Sequence, residues 1–502
     1  MDTKEVHRCL QVFTIALGQV CNGAERCWYT PTRELQRVAL EFCAACRSIP
    51  TLHVRVDDKT PISLWSPRDS QIGPDANGSE AVFSSRVPFV SALRLTWELP
   101  METLLQSAAG ELWEQSELLQ MKGSISAASL ESVVWPQALR RLVLSTTVET
   151  SMEAVSWPPS MHSVALEGGF NRSIARVGWP SSLRNITFNN RFDQSIVEVT
   201  WPRSLHSITF GDAFNQPIAG VVWPEFLRIL CFGFSFNHPI AGLIWPASLK
   251  ELSFGYEFEQ PIAGVIWPAS LERLSFRRWY NTVPMALFPW PPLLKRMTFG
   301  YGFRQPLAGV VWPAHLQQIS FSHDFNQPIS GVVWPPVLQE VPIGYSFNQP
   351  ITGVLWPASI RQVSFGDCFN QPVVGVTWPP SMEKISFGNK FNQPLQATTL
   401  PACVTGMYFG HRFNQPVEGV VWPAGLRQLS FGFCFNQPIA GVVWPASLER
   451  LDFRGCFDQP ITSVAWPGSL RHLSFTGCFR VIEGTVWPAS LRTATRAGIS
   501  LL

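Results

Sequence analysis

The chain has 502 residues, more than one ordinary domain needs, so it encodes either several domains or one repetitive array. Its 38 basic and 36 acidic side chains leave a net charge of +2, which excludes a uniform field drawing it to nucleic acid or an anionic membrane. Hydrophobic residues at 46% exclude a mostly disordered chain, and 21 Trp and 42 Pro demand a regular pattern that places them.

In chain order, residues 1–56 come first. Leu35, Val38, Ala39 and Phe42 recur at spacings of three and four, predicting an amphipathic helix entered through Pro31-Thr32. Residues 1–56 are therefore read as a small helical N-terminal region. Residues 9–21 are apolar but interrupted by Gln11 and Gln19, and Asp2 and Glu5 offset Lys4 and Arg8, so a secretory leader is the minor reading there. Cys43-Ala-Ala-Cys46 has the internal spacing of a zinc pair, but Cys21 and Cys27 stand too far apart for its complement, so no metal site is assigned. Residues 57–85, with Asp, Lys, Pro, Ser, Gly and Asn, read as a flexible linker. Residues 86–130 carry a weak repeat, with Leu93, Leu95, Leu99-Pro100 and Trp113, and read as degenerate coils or an N-terminal cap on the regular array. Residues 1–50 show no F-box pattern, and the chain has no Gly-rich nucleotide loop or set of kinase motifs.

From residue 131 to 502 a repeat takes over. Trp-Pro begins at Trp135 and returns at Trp157, Trp179, Trp201, Trp223, Trp245 and Trp267, then from Trp290 to Trp487, with Leu400-Pro401 replacing it once. The interval is 22 residues except for one of 23 and one of 21, giving about 17 coils of a solenoid. Counting each Trp as zero, apolar residues fall at offsets four, seven and nine, as in Leu205, Ile208 and Phe210. Offsets seven and nine share one face of a strand, so each coil supplies one short strand that pairs in parallel with its neighbours. Gly at offset ten, present in nine coils, implies a turn that needs positive φ or a close backbone approach. Phe-Asn-Gln-Pro comes next, intact at Phe214, Phe325, Phe347, Phe369, Phe391, Phe413 and Phe435. Its Phe is expected to stack into an internal column, its Asn to be a buried amide bonded to turn backbone, and its Pro to stop the turn becoming helix. The Trp residues, flanked by apolar pairs such as Val221-Val222, read as packing groups rather than ligand platforms.

Ser248-Leu249, Leu252, Ser253, Phe254, Gly255 and Phe258, with the unbroken run from Phe435 to Ile439, resemble the FNIP repeat, a relative of the leucine-rich repeat. The resemblance spans about residues 131–502. That family usually has Leu-Pro where this chain has Trp-Pro, and Leu400-Pro401 keeps the usual form. The resemblance implies a curved solenoid used for protein interaction, sometimes joined to an F-box or a kinase domain, and it carries no catalytic residues. The fold class expected is thus mainly β, a leucine-rich-repeat-like parallel solenoid with a small α-helical N-terminal region.

The nine His residues are scattered, and Asp and Glu occupy variable offsets, so no catalytic triad, cofactor motif or calcium ladder is expected, and the chain reads as non-enzymatic. Binding surface is the better prospect. Offset eight gives a row of small hydroxyls, including Thr209, Ser253 and Ser275, on the exposed strand face. Offset six on that face varies: Glu251, Arg273, Arg296, Gln318, Glu340 and Lys384 among others. One coil is irregular. Arg277, Arg278 and Trp279 occupy the turn Gly position and the two after it, Tyr280-Asn281 takes the Phe-Asn positions, and Pro284 arrives late. Arg273, Lys295, Arg296 and Arg304 lie within one or two coils of it, so Arg273, Arg277, Arg278, Trp279, Lys295, Arg296 and Arg304 are the candidate partner-binding residues. A tolerated irregularity is the plainer alternative.

Eleven Cys, an odd number, with Cys368, Cys434, Cys456 and Cys478 sharing offset twelve, point to reduced surroundings and a cytoplasmic protein. The leading function is an interaction scaffold binding an unidentified protein along the exposed sheet face, with no cofactor, no nucleic acid and no membrane span. The alternative is carbohydrate or small-ligand recognition by a secreted repeat protein, in which the sequons at Asn77, Asn171 and Asn185 would carry glycans.

Overall fold

The computed structural model describes residues 52–56, 93–97, 116–125, 130–131, 133–148, 151–278, 285–476, 485–496 and 499–500. The helix read around Leu35–Phe42, the linker at 57–85, and Trp279, Tyr280, Asn281 and Cys478 lie outside them. The chain divides into two compact units, residues 1–216 with 220–227, and residues 217–219 with 228–502.

In the first unit, strands Leu52–Val56, Leu93–Trp97, Ser116–Ile125, Arg141–Val148, Ser163–Leu166, Asn185–Phe188 and Ser207–Thr209 pair in chain order, each parallel to the next. A coil that returns the chain to its starting side delivers each strand in the same direction, so the pairing is parallel. Val164, Ile186 and Ile208, all at offset seven, lie in one register row and are buried. The strand Leu52–Val56 falls inside the segment read as helical, where the residue pattern predicts no strand; it pairs with Leu93–Trp97.

The second unit repeats the pattern from Ile229–Cys231 to Thr493–Arg496, and Ile499–Ser500 turns back antiparallel on the last of these strands. Within Glu251–Phe254, Gln318–Phe321 and their like, offsets seven and nine are buried while six and eight are not. The parallel β-solenoid expected from the period is the observed architecture.

Two aromatic columns fill the coils. Phe347, Phe369 and Phe391 are fully buried and stack with ring centroids 6.0 Å apart and planes within 12°. The offset-nine ring closes on the offset-thirteen ring of its own coil, as Phe365 does on Phe369 at 4.3 Å. Beside them run the Trp rings, such as Trp334 and Trp356 at 6.1 Å and Trp422 and Trp444 at 6.3 Å. The indole nitrogens of Trp334, Trp378 and Trp444 are buried with no hydrogen-bond acceptor among the described residues. These Trp therefore contribute area and ring contact, and their donor adds nothing.

The turns explain the remaining repeated letters. Gly366 at offset ten has no positive φ; a Cβ there would run into the carbonyl oxygen of Gly344 in the preceding coil, so close approach is what requires Gly. Positive φ is found instead at the Gly three residues before Trp in eight coils, such as Gly353 at 76°. The Asn of Phe-Asn-Gln-Pro corrects the buried-amide expectation. Asn215, Asn326 and Asn348 are exposed, and the partners of Asn326 and Asn348 lie in the next coil rather than in their own turn. The side-chain oxygen of Asn348 accepts from the Asn370 backbone N–H at 2.9 Å and from the Gln371 amide at 3.2 Å. Serines at offset three also tie coil to coil: the hydroxyls of Ser270 and Ser359 donate to the carbonyls of Leu249 and Leu338 at 2.7 Å.

Candidate interaction surface

Charge in the second unit concentrates where each strand begins. At offset five, cation and carboxylate meet across neighbouring coils: Lys250 with Glu272 at 2.9 Å, Arg361 with Glu383 at 3.0 Å, and Arg427 with Glu449 at 3.1 Å. Lys295 reaches the same Glu272 from the other side, also at 2.9 Å. Hydrogen bonds from Lys250 and then Lys295 lower the Glu272 carboxyl to about 2.

At offset six the alternation fails. Arg273 and Arg296 stand side by side on adjacent strands. Glu251 accepts from Arg273 at 3.0 Å, while the far neighbour of Arg296 is the neutral Gln318. Of the other predicted residues, Arg277 is exposed just after its strand, and Lys295 turns to Glu272. Arg304 pairs with Asp324 at 3.0 Å, and a hydrogen bond from His323, followed by the one from Arg304, holds that carboxyl below its ordinary range. The structure thus brings Arg273 and Arg296 together and engages Lys295 and Arg304 in local pairs; Trp279 lies outside the described residues. Later in this coil stands the short 3-10 helix Met285–Leu287, where Met285 and Phe288 are buried.

Arg278 belongs to a feature that the residue pattern did not disclose. Its guanidinium lies 4.8 Å from the centroid of the Tyr256 ring, and its backbone forms a bridge with Tyr301. Both tyrosines occupy offset eleven. Phe234 stacks on Tyr256 at 5.0 Å, Tyr301 on His323 at 5.6 Å, and His323 on Tyr345 at 4.5 Å with planes 7° apart. A surface row of aromatic rings with one Arg in it therefore follows the C-terminal ends of six consecutive strands. Phe234, Tyr301 and Tyr345 are 39%, 50% and 43% exposed. The signal was present in Gly233-Phe234, Gly255-Tyr256, Gly300-Tyr301 and Gly344-Tyr345, overshadowed by the Phe two residues on.

A second row also went unseen. The residue just before each Trp is aliphatic in many coils and points outward, with Ile244 at 89% and Val333 at 81% exposure. Trp334 is buried, as expected of the Trp residues, and so is Val332; Val333 is not.

Among the described residues no group of His, Cys, Asp or Glu is arranged to hold a metal ion, and no helix is long and apolar enough to cross a membrane. Among the described residues Cys368, Cys403, Cys434 and Cys456 are free thiols.

The FNIP Repeat family matches residues 170–213, 214–256, 236–278, 347–390 and 391–434. CroV588, whose crystal structure is described as a novel circular LRR protein, is 30% identical; the alignment covers 78% of this chain and 67% of CroV588, with a TM-score of 0.66. The Drosophila Toll–Spatzle complex, at 13% identity, matches over 76% of this chain and 49% of that one, with a TM-score of 0.39. The Leptospira interrogans LRR protein LIC12759, also 13% identical, matches over 77% of this chain and 95% of its own, with a TM-score of 0.36. No curated protein matches by sequence. The stacked Phe column, the one-strand coil and this identity agree, and the chain belongs to the FNIP-repeat, leucine-rich-repeat-like proteins.

Proposed function

We propose that this protein is a non-enzymatic interaction scaffold that engages a partner protein along the exposed face of its sheet, centred on the irregular coil around Arg277 and Arg278. One observation carries the reading: the surface row from Phe234 through Tyr256, Arg278, Tyr301 and His323 to Tyr345. Aromatic and Arg side chains held in fixed positions at a surface supply the large, low-entropy contacts that dominate protein interfaces. A repeat solenoid adds an extended surface on which such contacts can be spread over several coils. Free thiols along the second unit support a reducing compartment, and the reading places the protein in the cytoplasm.

The test is proximity capture from native cells with wild type, with Tyr301→Ala/Tyr345→Ala, and with Arg277, Arg278 and Trp279 changed to Ala. A defined set of proteins lost in either variant, with unchanged circular dichroism, supports the site. The same set captured by both variants moves the interface elsewhere, and no specific set at all removes the scaffold reading.

A further inference from the structure

We infer that the strand face at this coil binds an acidic, extended segment of a partner protein, with Arg273, Arg277 and Arg296 receiving its carboxylates. The inference rests on the scaffold reading and adds the chemistry of the partner.

The first argument is electrostatic. One residue earlier, at offset five, a cation finds a carboxylate in the next coil, as Arg361 finds Glu383 and Arg427 finds Glu449. At offset six Arg273 and Arg296 instead face each other in register, and like charges directly opposite on adjacent strands repel. Glu251 compensates Arg273 from one side, and Gln318 offers Arg296 no charge from the other. Glu272 is shared between two lysines. Residues 250–304 hold seven basic and four acidic side chains, a local charge of +3 against +2 for the entire chain. The excess therefore sits on this stretch, and a carboxylate brought by a partner relieves a repulsion the fold leaves in place.

The second argument separates a peptide from a nucleic acid, which is also an anion. Proteins that bind single strands present free ring faces on which bases stack. Here ring faces within the row are turned toward one another, Tyr301 and His323 at 25° and His323 and Tyr345 at 7°, so solvent meets mainly ring edges. Edges suit the aliphatic and main-chain groups of a polypeptide. The third argument concerns length. Arg273 and Arg296 lie about one strand spacing apart, ~4.8 Å, while Arg277 follows the far end of the strand that Arg273 begins, a strand about 10 Å long. A single compact anion cannot reach all three, and an extended segment with repeated carboxylates can. Each guanidinium can hold a carboxylate through two parallel hydrogen bonds.

The experiment is fluorescence anisotropy on the full chain with a labelled dodecapeptide of alternating Glu and Ala. The same peptide with Gln or Lys in place of Glu, and an oligothymidylate of equal length, serve as comparisons. Saturable binding of the Glu peptide alone is expected, weakening with added salt and at least about tenfold weaker in Arg277→Gln/Arg296→Gln. Arg471→Gln, an exposed cation elsewhere in the second unit, should leave it unchanged. Both variants replace exposed side chains, and circular dichroism checks that they fold. Failure of the Glu peptide to saturate, equal affinity in the double variant, or tighter binding of the oligonucleotide each overturns the inference. The two readings separate: partners lost on Tyr301→Ala/Tyr345→Ala but retained by Arg277→Gln/Arg296→Gln leave the scaffold reading standing and sink this one.

Discussion

Two aromatic rows, the outer one running from Phe234 to Tyr345, lie only two residues apart in the coils of the second unit that carry both, and they have opposite fates. At offset thirteen, Phe325, Phe347 and Phe369 are fully buried, whereas at offset eleven Tyr301 and Tyr345 are half-exposed. Their stacking distances overlap, 6.0 Å for Phe347 on Phe369 and 5.6 Å for Tyr301 on His323. Ring stacking is therefore common to both rows and cannot be what distinguishes core from surface. The difference lies in what surrounds the rings: Phe325 and Phe369 each have the offset-nine ring of their own coil against them at 4.3 Å, while the outer row has solvent on one side. The inner row carries stability, and the outer row is free to carry recognition.

That contrast can be broken at both ends. The largest effect is expected from Phe347→Ala, which removes a fully buried ring stacked between Phe325 and Phe369 and should cost about 3–5 kcal/mol in urea unfolding. A cost below that of a typical surface change would show that the column is not the core. Trp334→Leu comes next, at about 2–3 kcal/mol, because the stack on Trp356 and part of the buried ring area are lost while the indole nitrogen leaves no unpaired acceptor behind. Leu400 at the equivalent position shows the coil accepts Leu there. A larger loss would reveal an acceptor for the indole.

Tyr301→Ala should lower stability by only about 0.5 kcal/mol, the scale of an exposed stacking contact, while sharply reducing partner capture. Equal damage to stability from Tyr301→Ala and Phe347→Ala would erase the distinction between the rows. The smallest effect concerns Glu272. Its carboxyl is lowered from 4.5 to about 2 by Lys250 and Lys295, so its contribution is complete above pH 4.5 and is lost as pH falls toward 2. Because the group is at the surface, the contribution is about a few tenths of a kcal/mol, and Glu272→Gln should remove it above pH 4.5 while leaving stability near pH 2 unchanged. A pH-independent effect of the substitution would assign Glu272 a packing role instead.

Much of this architecture was legible beforehand, for identifiable reasons. The 22-residue return of Trp-Pro requires a coil, and the two-residue spacing of Ile208 and Phe210 requires a strand with one face buried. Both are local rules that survive any arrangement of the turns. The burial of the offset-thirteen Phe was legible because a large apolar ring repeated in nearly every coil has nowhere else to go.

What only the tertiary structure decided lies outside the strands. A turn has no two-residue alternation, so the letters do not say which way its side chains face. Val332 goes in and Val333 out, Asn348 stays at the surface to satisfy the backbone of the next coil, and Gly366 is required because Gly344 of the neighbouring coil comes too close. The aromatic row through Tyr256, Arg278 and Tyr301 depends on the same stacking, since its members are 22 or 23 residues apart and meet only when coils are laid one on another. The repeat by itself determined the coil and its core; contact between coils decided which of the repeated residues became surface.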